Sequence, residues 1–118
     1  VTAAVFPFPE MSRQMVRQAW NDWNLDLAYP MLYQNFYREN INWIGFATKQ
    51  GVNDVDFPII SGLNSGALRD PKDLKKAILI SRKNGAKGIS IFTADGLTKE
   101  QQAVFVELSN SIKSELKQ

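Results

Sequence analysis

An α/β fold built on parallel strands is what this sequence predicts, and three features predict it. Four short β-rich apolar runs, Thr2–Phe6, Leu25–Leu32, Phe57–Gly62 and Lys87–Thr93, are each followed by an amphipathic helical pattern. Strand then helix, repeated in that order, marks a parallel sheet, because a parallel neighbour is reached only by crossing back over the sheet. The last run alternates small with large, Gly88 and Ser90 against Ile89 and Ile91. That suits a strand with helices on one face and a narrowing interior on the other. Right-handed crossovers put consecutive helices on one side. Four consecutive βα units with parallel strands are therefore expected to curve as half of a TIM (β/α)8 barrel, which takes roughly 250 residues when whole. The 118 residues, 1–118, read as a single domain, a C-terminal half-barrel fragment of a larger protein that starts at Val1 directly in a strand. Its two unpaired edges invite pairing, so a homodimer of the fragment is the partner expected in isolation.

Each element has its own local signal. Pro7 and Pro9 cannot donate to a ladder and end the first strand. Met11, Met15, Ala19, Trp20 and Trp23 recur at helical spacing, with Ser12 as the expected N-cap, giving a helix near Met11–Trp23. In the second run Pro30 predicts an edge, a bulge or the strand's end. The next helix is expected over Asn40–Lys49, with Ile41, Ile44 and Ala47 inward and Gly51 as its C-terminal cap. Asp70-Pro71 is a strong helix start, Leu74, Ala77, Ile78 and Ser81 form that helix's buried side, and Asn84-Gly85 ends it. Thr98-Lys-Glu-Gln101 reads as a capping box for a last helix running to about Lys117, with Phe105, Leu108, Ile112 and Leu116 on one face.

Composition removes several classes of function. Hydrophobic residues are 44% and charged residues 22%, ordinary for a globular domain. A net charge of +2, with Lys72, Lys75, Lys76, Arg82 and Lys83 on and just after one helix, reads as a solvated face, so no nucleic-acid partner is expected. No cysteine and no histidine are present, which removes thiolate nucleophiles, disulfides and the commonest metal ligands; neither metal nor cofactor is expected. No run approaches the roughly 20 apolar residues of a membrane span.

The most individual text is Gln18-Ala-Trp20-Asn-Asp-Trp23, followed by Asp26-Leu-Ala-Tyr-Pro-Met-Leu-Tyr33. With Asp56-Phe-Pro-Ile-Ile-Ser-Gly-Leu63 and Gly85-Ala-Lys-Gly-Ile-Ser-Ile-Phe92 it resembles, in order and over nearly the whole chain, the C-terminal half of bacterial TIM-barrel proteins of the glycoside-hydrolase-like superfamily, including glycosyl hydrolases of the type found in gut Bacteroidetes. The resemblance implies that these are the fifth to eighth barrel strands and that the ligand is a saccharide. It also implies a secreted, periplasmic or cell-surface location. In related barrels the catalytic carboxylates often come from N-terminal strands, so the segment alone is expected to be inactive.

Ligands on parallel barrels bind beyond the carboxyl ends of the strands. On that reading the face is lined by Phe8, Pro9 and Glu10, then Met31, Tyr33, Gln34 and Tyr37, then Ser61 and Asn64, then Thr93 and Asp95. Glycoside hydrolysis uses two carboxylates, and Glu10 and Asp95 are the only ones expected on this rim; they are the catalytic candidates. Tyr33, Gln34, Tyr37, Asn64 and Phe8 are the substrate-binding candidates, since rings and amides suit a sugar's apolar face and hydroxyl rim. Each has a plainer reading: Glu10 as a first-turn residue favoured by the helix dipole, Asp95 before Gly96 as a turn residue. Asp26 is expected to be a buried hydrogen-bond acceptor. Two alternatives stay open, a non-catalytic carbohydrate-binding or structural barrel and a small flavodoxin-like domain; the latter lacks a Gly-rich phosphate loop after its first strand.

Overall fold

The computed structural model describes residues 1–16 and 18–116. The chain is α/β, with four α-helices and two small parallel sheets of two strands each among the described residues. In order these are β1 (Thr2–Val5), α1 (Pro9–Val16), β2 (Leu27–Pro30), α2 (Ile41–Asp54), β3 (Ile60–Asn64), α3 (Pro71–Lys83), β4 (Gly88–Phe92) and α4 (Lys99–Leu116), with 3-10 turns at Trp20–Asp22, Ser65–Ala67 and Ala94–Gly96.

β1 pairs with β2 from Thr2↔Leu27 to Val5↔Pro30, and β3 with β4 from Ile60↔Gly88 to Asn64↔Phe92. Between β2 and β3 only two isolated parallel bridges form, Ala28↔Ile59 and Met31↔Gly62. Pro30 explains the break. Ala28 N–H donates to Pro58 O at 3.2 Å and Leu32 N–H to Gly62 O at 2.8 Å. The donor due between them belongs to residue 30, and proline has none. The ladder is interrupted there, so Pro30 marks both the end of β2 and the seam between the sheets.

The strands alternate sharply. Val5, Ala28, Ile59, Ser61, Leu32 and Leu63 are buried against the helices. Leu32 and Leu63 join Ile44 and Ala47 of α2 and Leu74, Ala77 and Ile78 of α3 in one core cluster, while Val5, Ala28 and Ile59 surround Trp20 in a second. Ala4, Phe6, Tyr29, Met31, Ile60, Tyr33 and Phe92, on the opposite face, belong to neither cluster and stay half-buried or exposed.

Several elements depart from the sequence reading. The first helix is described over Pro9–Val16 and a separate 3-10 turn carries Trp20 into the core, so the stripe splits; the side chain of Met15 lies outside the described residues. Ser12 is no N-cap. It sits inside α1, buried, where its Oγ accepts from Trp20 Nε1 at 3.1 Å. α2 starts as expected, with Asn40 accepting from Trp43 N–H at 3.3 Å, and runs on to Asp54. Gly51 is therefore within the helix instead of capping it, and a Cβ there would meet the Trp20 ring at 3.5 Å. Asp26 is the reverse of buried: its side chain is 83% exposed and pairs with the Val1 ammonium, whose hydrogen bond and charge hold the carboxyl below the usual carboxylate range.

The remaining elements follow their signals. Asp70 caps α3 by accepting from Lys72 N–H at 2.9 Å, and Leu74, Ala77, Ile78 and Ser81 are its buried residues. Gly85 takes φ 106 just past the helix, a conformation open to glycine at little cost, and the chain turns back through Ala86 N–H to Ser81 O at 3.1 Å. Thr98 and Gln101 form the reciprocal capping box, at 2.9 and 3.1 Å. Lys117 and the side chains of Ile112 and Leu116 lie outside the described residues. α2 and α3 pack closely because Gly45 has no side chain; a Cβ there would fall 2.8 Å from Ile80.

Candidate functional site

The registers set Tyr33, Asn64 and Phe92 in one row at the carboxyl ends of β2, β3 and β4, since Met31 lies beside Gly62 and Asn64 beside Phe92. β2 and β4 are two strand spacings apart, about 9.6 Å. The Tyr33 and Phe92 rings nevertheless stack at 5.9 Å with planes 24° apart. Side chains from alternate strands converge in this way on a concave face. Phe92 is 59% exposed, so the stacked pair presents ring surface to solvent.

The loop after β2 adds a second group of rings. Successive turns bond Phe36 N–H to Tyr33 O at 2.9 Å and Tyr37 N–H to Gln34 O at 3.2 Å. Glu39 N–H then returns to Gln34 O at 2.9 Å across Arg38, which is left-handed at φ 57. This closes the turn as a helix C-terminus would, without a glycine. Tyr37 packs on Trp43 at 5.3 Å and on Phe36 at 5.6 Å, leaving Phe36 76% exposed. Phe6, Met31, Tyr33, Phe36 and Tyr37 line an apolar hollow of about 210 Å³. Burial among these rings raises the Tyr33 and Tyr37 phenols above their ordinary value, so both hydroxyls stay neutral donors.

Polar groups sit beside the rings. Asn64 Oδ1 accepts from Gly66 N–H at 3.0 Å and its Nδ2 donates to Asn35 Oδ1 at 3.4 Å. Ser65 Oγ donates to Thr93 O at 3.0 Å, next to the cis Phe92–Thr93 peptide. Gln101 Nε2, from α4, donates to Ser65 O at 3.1 Å and Leu68 O at 2.8 Å. The loop after β3 is thereby tied to the end of β4 and to α4, which fixes one wall of the rim.

The expected site residues divide. Tyr33, Tyr37 and Asn64 come together on the rim, and Asp95 stands exposed in the 3-10 turn just beyond β4. Gln34 is 5% exposed; its amide nitrogen donates to Ala67 O at 3.4 Å and its oxygen has no partner among the described residues, so it braces the loops from below. Phe8 does not reach the rim. It packs on the helix side, edge-on to Phe46 of α2 at 5.8 Å. Ser61 faces the helices too, sharing a 3.2 Å hydrogen bond with Thr48. Glu10 lines a polar depression with Pro9, Arg13, Asn21 and Asp54, and Asp95 is not among those residues. The two carboxylates do not share that depression: Glu10 stands in the first turn of α1 and Asp95 in the turn beyond β4. Phe92, Phe36, Phe6 and Asn35 border the same rim without being among the expected residues; the apolar residue closing the last strand is a signal for Phe92.

Elsewhere, the stems of Lys72, Lys75, Lys76 and Lys83 flank Leu79 and Ile80 around a shallow groove of about 480 Å³, and Lys75 pairs with Glu107 at 2.6 Å, the disposition of a solvated helix face. Among the described residues no helix is long and apolar enough to cross a membrane, and no group of three or more acidic side chains stands ready to hold a metal ion. No family model, curated protein or solved structure matches the chain.

Proposed function

We propose that this chain forms part of the wall of a TIM-type barrel of glycoside-hydrolase-like kind and that its rim contacts a saccharide. The observation that carries the reading is the stacked Tyr33–Phe92 pair, half open to solvent and flanked by the Asn64 and Asn35 amides. A pyranose has an apolar C–H face that packs on such rings and hydroxyls that pair with such amides. Support for the barrel wall is the placement of helices on one face of the parallel strands, with the other face uncovered among the described residues. In this reading the chain supplies binding surface to a hydrolase whose acids lie on other strands, and the segment itself does not turn over substrate.

The seat of Glu10, away from the aromatic rim, favours the second reading, a non-catalytic carbohydrate-binding barrel. Both readings predict sugar binding at the same rings. Titration of the chain with a panel of oligosaccharides is expected to show weak binding. Tyr33→Ala or Phe92→Ala is expected to lower affinity by about tenfold, the scale of a 1.4 kcal/mol stacking loss, while Glu10→Gln leaves it unchanged. Binding by no saccharide, or equal binding by the Tyr33 and Phe92 variants, rejects the assignment.

A further inference from the structure

We propose that the chain in isolation pairs with a second copy, β1 of each adding in parallel to the free edge of the partner's β4, in place of the further strands that the barrel-wall reading assigns to a whole barrel. Three observations converge on this occupant. The first is the pair of edges. Val1 O and Val5 O accept bonds from β2 residues, so by the alternation of a parallel ladder the N–H and C=O groups of Thr2 and Ala4 point to open solvent. On β4 the register places Ile89 beside Ser61, whose bonds go to the flanking residues, leaving the backbone groups of Ile89 and Ile91 outward. An edge of this kind recruits another strand.

The second observation is the uncovered face. Phe6, Tyr29, Met31 and Ile60 sit half-buried on the side away from the helices, on a surface whose alternate strands converge. Four strands curved in that sense make half a cylinder, and four more complete it. A two-fold along the cylinder axis supplies them with every strand parallel, and it satisfies both edges at once.

The third is a groove of about 520 Å³ on the helix side of β4, floored by Ile78, Ile89, Phe105 and Leu108. α4 packs on α3, and among the described side chains this space beside the edge strand is open, with Arg82 and Lys87 at its border. A strand added to β4 turns alternate side chains into it. β1 offers Val1 and Ala3 on that parity, small and apolar, with Val1 79% exposed as it stands. The groove and the strand match.

The proposal rests on the barrel-wall reading and not on what the rim binds; a failed mass measurement leaves the saccharide titration standing, and the converse holds. The test is light-scattering mass with circular dichroism. The chain is expected at about twice its 13.3 kDa, falling to the single mass on dilution. Ala4→Pro removes an outward donor on an edge strand, where proline is tolerated. Ser109→Arg puts bulk at the mouth of the groove from an exposed position. Both are expected to give the single mass with unchanged helicity. A wild-type chain that stays at the single mass at every concentration, an assembly larger than a pair, or variants that remain paired would each overturn the proposal. The first would return the two edges to a partner of different sequence.

Discussion

On the helix-covered face of the strands Val5, Ala28, Ile59, Leu32 and Leu63 are sealed against two core clusters, whereas on the opposite face Phe6, Tyr29, Met31 and Ile60, no less apolar, remain half in solvent. The two sets alternate along the same strands, so propensity and composition cannot be what separates them. The difference is the helix layer. α2 and α3 finish one face, and no element among the described residues finishes the other. The first face holds the fold together; the second is free to meet a ligand at its rim and more strands at its edges.

The sharpest way to break this comparison is to truncate one apolar residue from each face. Leu63→Ala leaves a cavity among Ile44, Leu74 and Ala77, and the loss expected for a fully buried leucine is about 2–5 kcal/mol. Ile60→Ala, three residues earlier on the same strand, is expected to lose only about 1 kcal/mol in dilute solution, where its side chain is half-buried. Denaturant midpoints of the two variants decide it. Equal losses would mean that the uncovered face is covered after all.

The next effect tests whether the rim is held from the helix layer. Gln101 is fully buried and its amide nitrogen is shared by Ser65 O and Leu68 O. Gln101→Leu keeps the bulk but takes the donor from Leu68 O and the acceptor from Thr98 N–H, while Ser65 O keeps only its bond from Leu68 N–H, at a cost of about 1–3 kcal/mol. Because Ser65 also holds the Phe92–Thr93 segment, the same variant is expected to loosen the Phe92 ring, read as a change in near-ultraviolet circular dichroism. Loss of stability with the aromatic signal intact would separate the rim from its brace.

What could be read from the sequence follows the range of the forces involved. The α/β class, the buried side of α3, its Asp70 cap and the capping box at Thr98 rest on spacings of three or four residues, and the sequence carries those directly. Gly51 does not cap α2 because the helix runs on to Asp54, and a glycine near a helix end does not by itself mark the last turn. Ser12 does not cap α1 because the partner of its hydroxyl is the Trp20 indole. At the rim, Tyr33 and Asn64 stand where the sequence puts them because position near a strand's end is a local property. Phe8 does not, because its partner is Phe46 of α2, thirty-eight positions away, and Glu10 stands instead in the first turn of α1. The seam at Pro30 was half visible: a missing donor is written in the sequence, but which neighbour loses the bond is not.

The smallest effect distinguishes the two ring groups of the rim from the exposed side chains around them, through pH. Burial raises the Tyr33 and Tyr37 phenols above 10.0, so the folded chain favours their neutral forms. A group raised on folding contributes stability that is complete below its unfolded value and is lost as pH climbs through the folded one. Stability is therefore expected to be insensitive to these phenols through the neutral range and to fall above about pH 10. Lysines titrate in the same window, so the informative quantity is the difference between wild type and Tyr33→Phe/Tyr37→Phe. The double variant keeps both rings and removes both ionisations, and its alkaline loss is expected to be shallower. If the two curves superimpose, the hydroxyls are as well solvated in the fold as out of it, and the hollow between Phe6, Met31 and the loop rings is open to water throughout.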